Sequence, residues 1–295
     1  MPLFTDQLGR TISLDRPPRR IISLVPSQTE LLHTLGLEEE VIGITKFCVH
    51  PQQWFRHKTR VGGTKDIRPE VIHSLQPDLI IANKEENDRA QVEQLFPHYP
   101  VWISNVATLA DALQMIRSVG DLTGKTAPAL SLAEEITRRF AALGFPAPSP
   151  RTAYFIWRFE RPAFRSRRMD VNASVRHISE DSTRAVTSWM VAGGDTFIQD
   201  MLTHAGFINI FQDLPRYPVI GLESLAGSGC ELVLLSSEPY PFREKHIGEI
   251  RAILPKARVL LVDGEIFSWY GSRLLQAPAY FLQIQDSLLP RFRYP

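Results

Sequence analysis

Trp269-Tyr270-Gly271-Ser272-Arg273 puts two ring faces, a flexible glycine and a cation into five consecutive residues. Phe47, Trp157 and Trp189 are further aromatics that fall at the ends of apolar runs or in the loops after them, not inside helical patterns. Residues of this kind suit non-covalent binding of a large, flat ligand, because aromatic faces offer wide contact area with few rotors to freeze. Arg158, next to Trp157, and Arg273 add planar guanidinium forks that match carboxylate or phosphate groups. The plainer alternatives are that the aromatics plug an internal interface and that each arginine sits in an ordinary ion pair.

Cys48, His50 and His57 are the one soft-ligand grouping, but a metal site needs three or four ligands and no second convincing pair accompanies them. No metal centre is therefore expected. His50 remains a candidate for ligand contact, since an imidazole can approach a bound metal axially. Gly62-Gly63-Thr64-Lys65 hints at a phosphate loop without its spacing. None of the hydrolase, zinc-protease, P-loop or dinucleotide-binding motifs occurs, so no catalytic residue is assigned and the chain is not expected to be an enzyme.

Composition narrows the classes further. Lys plus Arg number 33 and Asp plus Glu 32, a net charge of +1, which argues against nucleic acid as a partner. The two cysteines make no disulfide scaffold. No run of roughly 18 apolar residues offers a membrane span. The opening MPLFTDQLGRTISLDRPPRR lacks the basic-then-apolar pattern of an export signal, so the chain as it stands is expected in the cytoplasm, or in the periplasm if a leader was removed.

The elements that must position these residues alternate. IISLV after Arg20 reads as a buried strand, followed by a helix from Ser27 to Leu37 with Ser27 and Glu30 as a capping box and Gly36 as its stop. Strands at 41–45, 78–82 and 100–104 alternate with helices opening at Glu70 and Asp88. The same alternation returns after 152, with a helix capped at Asp195, another opening at Glu223, strands at 231–237 and 258–263 and a final helix from Ala277. Strands that are apolar throughout argue parallel sheets covered on both faces.

The two halves echo each other. PEVIHSLQPDLIIAN (69–83) pairs with LESLAGSGCELVLLSS (222–237), and TELLHTLG (29–36) with QDMLTHAG (199–206). Such self-similarity reports a duplicated α/β unit. The expected architecture is α/β: two Rossmann-like lobes with parallel sheets, residues 1–107 and 145–295, joined by a long helix or kinked helix pair over 108–144, with a ligand cleft between the lobes. An insertion at about 159–190, polar and rich in arginine, interrupts the second lobe and suits a basic flap or a surface hairpin.

SLVPSQTELLHTLGL, VIGITKFCVHP, VGGTKDIRPEVIHSLQPDLIIA, GGDTFIQDMLTHAGFINIF and DGEIFSWYGSR together resemble the periplasmic-binding-protein family for cobalamin and ferric siderophores, the helical-backbone receptors of ABC transporters. The resemblance implies a substrate-binding protein of an ABC-type importer. It implies no intrinsic cofactor, and as ligand a corrinoid such as cobalamin or cobinamide, or a ferric chelate. Phe47, His50, Trp157, Arg158, Trp189, Trp269, Tyr270 and Arg273 are its expected ligand-facing set. It also implies an ABC-transporter permease as partner, with Glu70 and Glu223, equivalent by the repeat, as the docking carboxylates. A cytoplasmic cofactor-handling protein or enzyme on the same scaffold is the alternative, because fold does not fix function.

Overall fold

The computed structural model describes residues 2–145, 149–161 and 186–289. The centre of the expected insertion, 162–185, lies outside the described residues, and so does the question of a flap. The chain divides into two compact units, Met1–Pro146 with Glu265–Pro295, and Ala147–Gly264. This differs from the expected boundaries: the helices after residue 108 and the whole tail belong with the first unit.

The first unit opens with a hairpin, β1 (Leu3–Thr5) and β2 (Thr11–Ser13). It continues through β3 (Ile21–Ser23), α1 (Pro26–Thr34), β4 (Val41–Ile44), α2 (Gln52–His57), β5 (Thr59–Arg60), α3 (Pro69–Leu75), β6 (Leu79–Asn83), α4 (Arg89–Glu93) and β7 (Val101–Ser104). Five strands form a parallel sheet in the order β5-β4-β3-β6-β7. Ile22, Leu24, Ile80, Ala82 and Val101 build one core with Ile72 and Val92 of the flanking helices. Parallel strands buried on both faces need such continuous apolar runs.

Local chemistry shifts one expected boundary. Pro26, with its fixed φ, takes the first helical position of α1, so Val25 is the N-cap and Ser27 lies inside the first turn. The expected Ser27–Glu30 capping box does not form, and the Ser27 hydroxyl is buried without a hydrogen-bond partner among the described residues. Gly36, at φ +73, ends the helix as expected. Of the two readings for 108–144, the helix pair is the one formed: α5 (Leu109–Thr123) and α6 (Thr126–Ala141), separated by Gly124 at φ +69. Thr108 and Asp111 close a capping box at the start of α5.

The second unit holds β8 (Arg151–Arg161), β9 (Val186–Val191), α7 (Phe197–His204), β10 (Ile208–Asn209), β11 (Val219–Ile220), α8 (Leu222–Ala226), β12 (Leu232–Ser236), α9 (Glu244–Ile253) and β13 (Arg258–Val262). Its sheet runs β11-β9-β8-β12-β13, with β10 also paired to β8. The β8, β10, β12 and β13 pairings are parallel, but β9 is antiparallel to β8 and β11 to β9. The second sheet is thus mixed, not purely parallel. The two ends of the insertion supply the antiparallel pair, with Phe159 opposite Ser188 and Trp157 opposite Met190. Thr196, not Asp195, caps α7 by accepting a bond from the Gln199 amide at 3.1 Å.

The repeat is visible at bond level. At the entry to β3 the Asp78 carboxylate accepts the Arg20 amide at 2.8 Å, while the Arg20 side chain donates to the Leu75 and Gln76 carbonyls. At the entry to β8 the Glu231 carboxylate accepts the Arg151 amide at 2.8 Å, while the Arg151 side chain donates to the Ser228 and Gly229 carbonyls.

The tail returns to the first unit through α10 (Gly264–Ser268), a 3-10 turn at Ser272–Leu275 and α11 (Ala277–Leu288). Phe281 meets Phe140 of α6 edge-on at 6.3 Å, and Arg139 donates to the Leu275 carbonyl at 2.8 Å.

Candidate functional site

In the first unit the tail segment, the start of α1 and the loop after β4 come together. Trp269 is packed between the His50 ring, edge-on at 5.7 Å, and the Arg273 guanidinium, 4.7 Å from the ring centroid. Arg273 donates through two nitrogens to Glu30 and through Nη1 to Glu265 at 2.7 Å. His50 Nε2 stands 3.4 Å from the other oxygen of Glu265. Tyr270 reaches Glu86 through its hydroxyl at 3.4 Å.

This arrangement corrects the reading of Arg273 as a free anion-binding fork. Its side chain is only 10% exposed and is engaged by two carboxylates, the ion-pair alternative taken twice over. Trp269 and Tyr270 are themselves buried, at 6% and 5% exposure. Phe47 differs: it is half exposed, with Lys46 Nζ 5.2 Å from its ring. His50 is the second open member of this set.

In the second unit Trp157 is the open aromatic, on β8 and 38% exposed. It stands edge-on to Tyr240 at 5.6 Å and tilted against Phe159 at 6.4 Å. Tyr240 in turn meets Phe242 at 4.8 Å and His246 at 5.5 Å. The Arg243 amide donates to His246 Nδ1 at 2.9 Å, which leaves the proton of the neutral ring on Nε2, beside the Tyr240 hydroxyl. Burial holds the His246 pKa below its ordinary value, with Lys245 adding to the effect.

Trp189 and Arg158 depart from the expected set. Trp189 is 2% exposed and belongs to the core of the second unit with Phe155, Val191 and Ile220, because β9 inserts it into the sheet interior. Arg158 is bonded to Glu249 at 2.9 Å and also to Glu160. Burial works against its charge, but these two carboxylates outweigh it and raise its pKa further.

The remaining sequence candidates resolve simply. Cys48 is buried between the Thr29 and Thr45 hydroxyls at 3.0 and 3.2 Å, and burial raises its thiol to about 11. Among the described residues no three His, Cys, Asp or Glu side chains cluster to hold a metal ion. Gly62 and Gly63 form a tight turn closed by the Gly63 amide on the Asp66 carbonyl at 2.6 Å, and Lys65 is tied to the Glu85 and Asn87 carbonyls. Glu70 and Glu223 are exposed, each in the first turn of a short helix, α3 and α8.

Sequence reasoning missed Glu30, Glu265, Tyr240, Phe242 and His246. The signal for the aromatic pair was present in SSEPYPF, two rings each preceded by a proline shortly after a strand, much as Phe47 follows one. Nothing local signals Glu30 as the partner of Arg273.

Two α/β units built on parallel strands, with open aromatic side chains at Phe47 and Trp157, are an architecture that small-molecule binding proteins use. The model of the family described as periplasmic binding protein matches residues 21–247, and the chain belongs to that family. An uncharacterized ABC transporter substrate-binding lipoprotein of Bacillus subtilis (strain 168) is 23% identical over 295 residues, 97% of this chain and 84% of that protein. A vitamin B12-binding protein of Vibrio campbellii (strain ATCC BAA-1116) is 30% identical over 128 residues, 43% of this chain and 46% of that one, so the similarity spans about half of that relative. Among solved structures, the periplasmic vitamin B12 binding protein of Vibrio cholerae superposes with a TM-score of 0.69 at 19% identity, covering 92% of this chain and 98% of that one. The periplasmic heme binding protein HutB of Vibrio cholerae does so with a TM-score of 0.69 at 20% identity, covering 92% and 99%. At these identities the structural likeness speaks for the fold. The proteins it is similar to are named as binding proteins.

Proposed function

We propose that this chain is the substrate-binding protein of an ABC-type importer and that its ligand is a corrinoid or a ferric chelate. The observation that carries this reading is the family match over residues 21–247, which draws on both units. The relatives named for vitamin B12 and heme support a large, flat metal–organic ligand over a sugar or an amino acid. In this reading Phe47, His50 and Trp157, the open members of the expected set, meet the ligand, with Tyr240 backing Trp157. Trp269 supports His50 edge-on within the first unit. Glu70 and Glu223 are the carboxylates proposed to dock on a permease, and delivery to a permease places the working protein outside the cytoplasm.

A screen of cobalamin, cobinamide, haem and ferric hydroxamates tests this by absorbance and thermal shift. A true ligand binds the folded state alone, so melting rises with its concentration. The expected result is a saturable spectral change and a raised melting temperature with one of these classes. If all four leave both unchanged at saturating concentration, the reading fails.

A further inference from the structure

The turn between β1 and β2 is fastened to the edge strand β7. The Gln7 amide donates to the Ile103 carbonyl at 3.1 Å, and its side-chain oxygen accepts the Asn105 amide at 3.0 Å. Asp6 Oδ1 fixes the turn from within by accepting the Leu8 and Arg10 amides at 2.9 and 2.8 Å. Leu8 and Arg10 are thereby held beside α4 and the ends of β6 and β7, where they wall a pocket of about 340 Å³. Val92, Phe96 and Ile103 supply its apolar wall and Lys84 part of its rim. All of it lies in the first unit, and none of its lining residues belongs to the set proposed above to meet the metal–organic ligand.

Arg10 is the unusual member. Its guanidinium carbon sits 3.6 Å from the centroid of the Phe96 ring, so the group is stacked flat on an aromatic face. Among the described residues the guanidinium makes no hydrogen bond, and Nη1 is buried without an acceptor. Asp6 Oδ2 stands 3.6 Å away, close enough for charge attraction but too far for a hydrogen bond. Nη1 faces Asp6 Oδ2, itself buried without a hydrogen-bond partner among the described residues, so the rest of the in-plane N–H edge, on a side chain 33% exposed, is what remains for an incoming acceptor. Lys84 is exposed at the same pocket, with no side-chain bond among the described residues. Arg89 and Glu93, also in the lining, cancel each other at 2.7 Å. With Asp6 facing Arg10 and Glu93 bonded to Arg89, the uncancelled charge at the pocket among the described residues is the positive charge of Lys84 at the rim, beside the planar fork of Arg10.

We propose that this pocket is a second binding site, taking a small carboxylate with an apolar body: Arg10 grips the carboxylate edge-on, Lys84 faces it from the rim, and Phe96, Val92 and Ile103 cover the apolar part. A carboxylate suits the guanidinium better than a neutral amide, because charge-assisted paired bonds are roughly twice as strong as neutral ones. The volume falls at the lower end of the range for small-molecule pockets, about 300–1,000 Å³.

The full chain is titrated by calorimetry with 3-phenylpropanoate and, separately, with 3-phenylpropanamide. The acid should bind saturably and the amide about tenfold more weakly, the difference expected from losing hydrogen bonds to a charged group. Arg10→Met keeps an aliphatic body on Phe96 and should weaken the acid by about tenfold while leaving the amide unchanged. Lys84→Gln, an exposed change that does not threaten the fold, should weaken the acid by about two- to threefold and flatten its salt dependence. The acid–amide comparison needs no variant at all. Absence of saturable acid binding, equal binding of acid and amide, or wild-type acid affinity in both variants would overturn the proposal. Each readout is separate from the metal–organic ligand, so failure here leaves the importer reading standing, and the reverse holds too.

Discussion

Arg273 grips Glu30 at two points, Nη2 to Oε1 at 2.7 Å and Nε to Oε2 at 3.1 Å, across 243 residues of sequence. The third arm of the same guanidinium holds Glu265. All three side chains are less than one-fifth exposed, so desolvation has already been incurred and each charge depends on its partners. Arg273→Met leaves two carboxylates facing each other without a cation and should destabilise the protein by about 3 kcal/mol. Glu30→Gln leaves the Glu265 arm intact and should cost about 1–2 kcal/mol. Urea unfolding gives both values, and wild-type midpoints for both variants would show that the grip contributes nothing.

Trp269 and Tyr270 cannot be truncated without consequence for the fold. Both are buried, and Trp269 fills the space between His50 and Arg273. Trp269→Ala should therefore lower stability by about 3–5 kcal/mol, the cost of a large cavity. Tyr270→Phe is the informative variant for ligand binding, since it keeps the ring and removes only the hydroxyl that reaches Glu86. Its stability should change by about 1 kcal/mol or less. Any larger loss of ligand affinity at unchanged melting temperature then reports on the site itself.

What could be read from the sequence was what short-range pattern encodes. The equal spacing from Glu70 to Asp78 and from Glu223 to Glu231 is enough to infer a repeat, and Asp78 and Glu231 take matching places, each bonded to an amide at the entry to the first strand of its sheet. Gly36 and Gly206 end matching helices at φ +73 and +77. What could not be read depends on pairing at a distance. Trp189 looks like a loop aromatic until β9 is seen hydrogen-bonded antiparallel to β8, which turns its ring into the core. The tail from Glu265 follows the second unit in sequence yet is bound to the first, because its partners are Glu30, Arg139 and Phe140. Pro26 shows a local rule overriding another: a proline at the first helical position displaced the serine cap that the pattern suggested.

The two thiols give a pH prediction of definite sign. Burial raises both Cys48 and Cys230 from 9.0 to about 11. An unfolded thiol thus loses its proton before a folded one does. The stability this contributes is complete below pH 9 and is lost as pH rises toward 11. At pH 8 the native thiolate fraction is on the order of one in a thousand, so a disulfide exchange reagent should label neither cysteine until the protein unfolds. Adding urea should release two equivalents per chain. Rapid labelling of the native protein at pH 8 would contradict the burial of these side chains.

Glu70 and Glu223 offer the sharpest test of the transporter reading, because they are exposed and belong to no set proposed to meet the ligand. Each stands exposed in the first turn of a short helix, where a carboxylate favours the helix dipole by about 0.3–1 kcal/mol. Glu70→Gln and Glu223→Gln should therefore lower stability by no more than that amount and leave the soluble protein's ligand affinity unchanged. Docking on cationic permease residues would depend on the charge itself, and removing rim charges acts mainly through association rate and its salt dependence. The double variant Glu70→Gln/Glu223→Gln should thus slow uptake in reconstituted vesicles holding the cognate permease, with the deficit largest at low ionic strength, where Coulomb attraction is least screened. Each single variant should lie between the double variant and the wild type. Uptake at the wild-type rate by the double variant, at low as well as high salt, would leave the two carboxylates as helix-end charges and remove them from the docking surface.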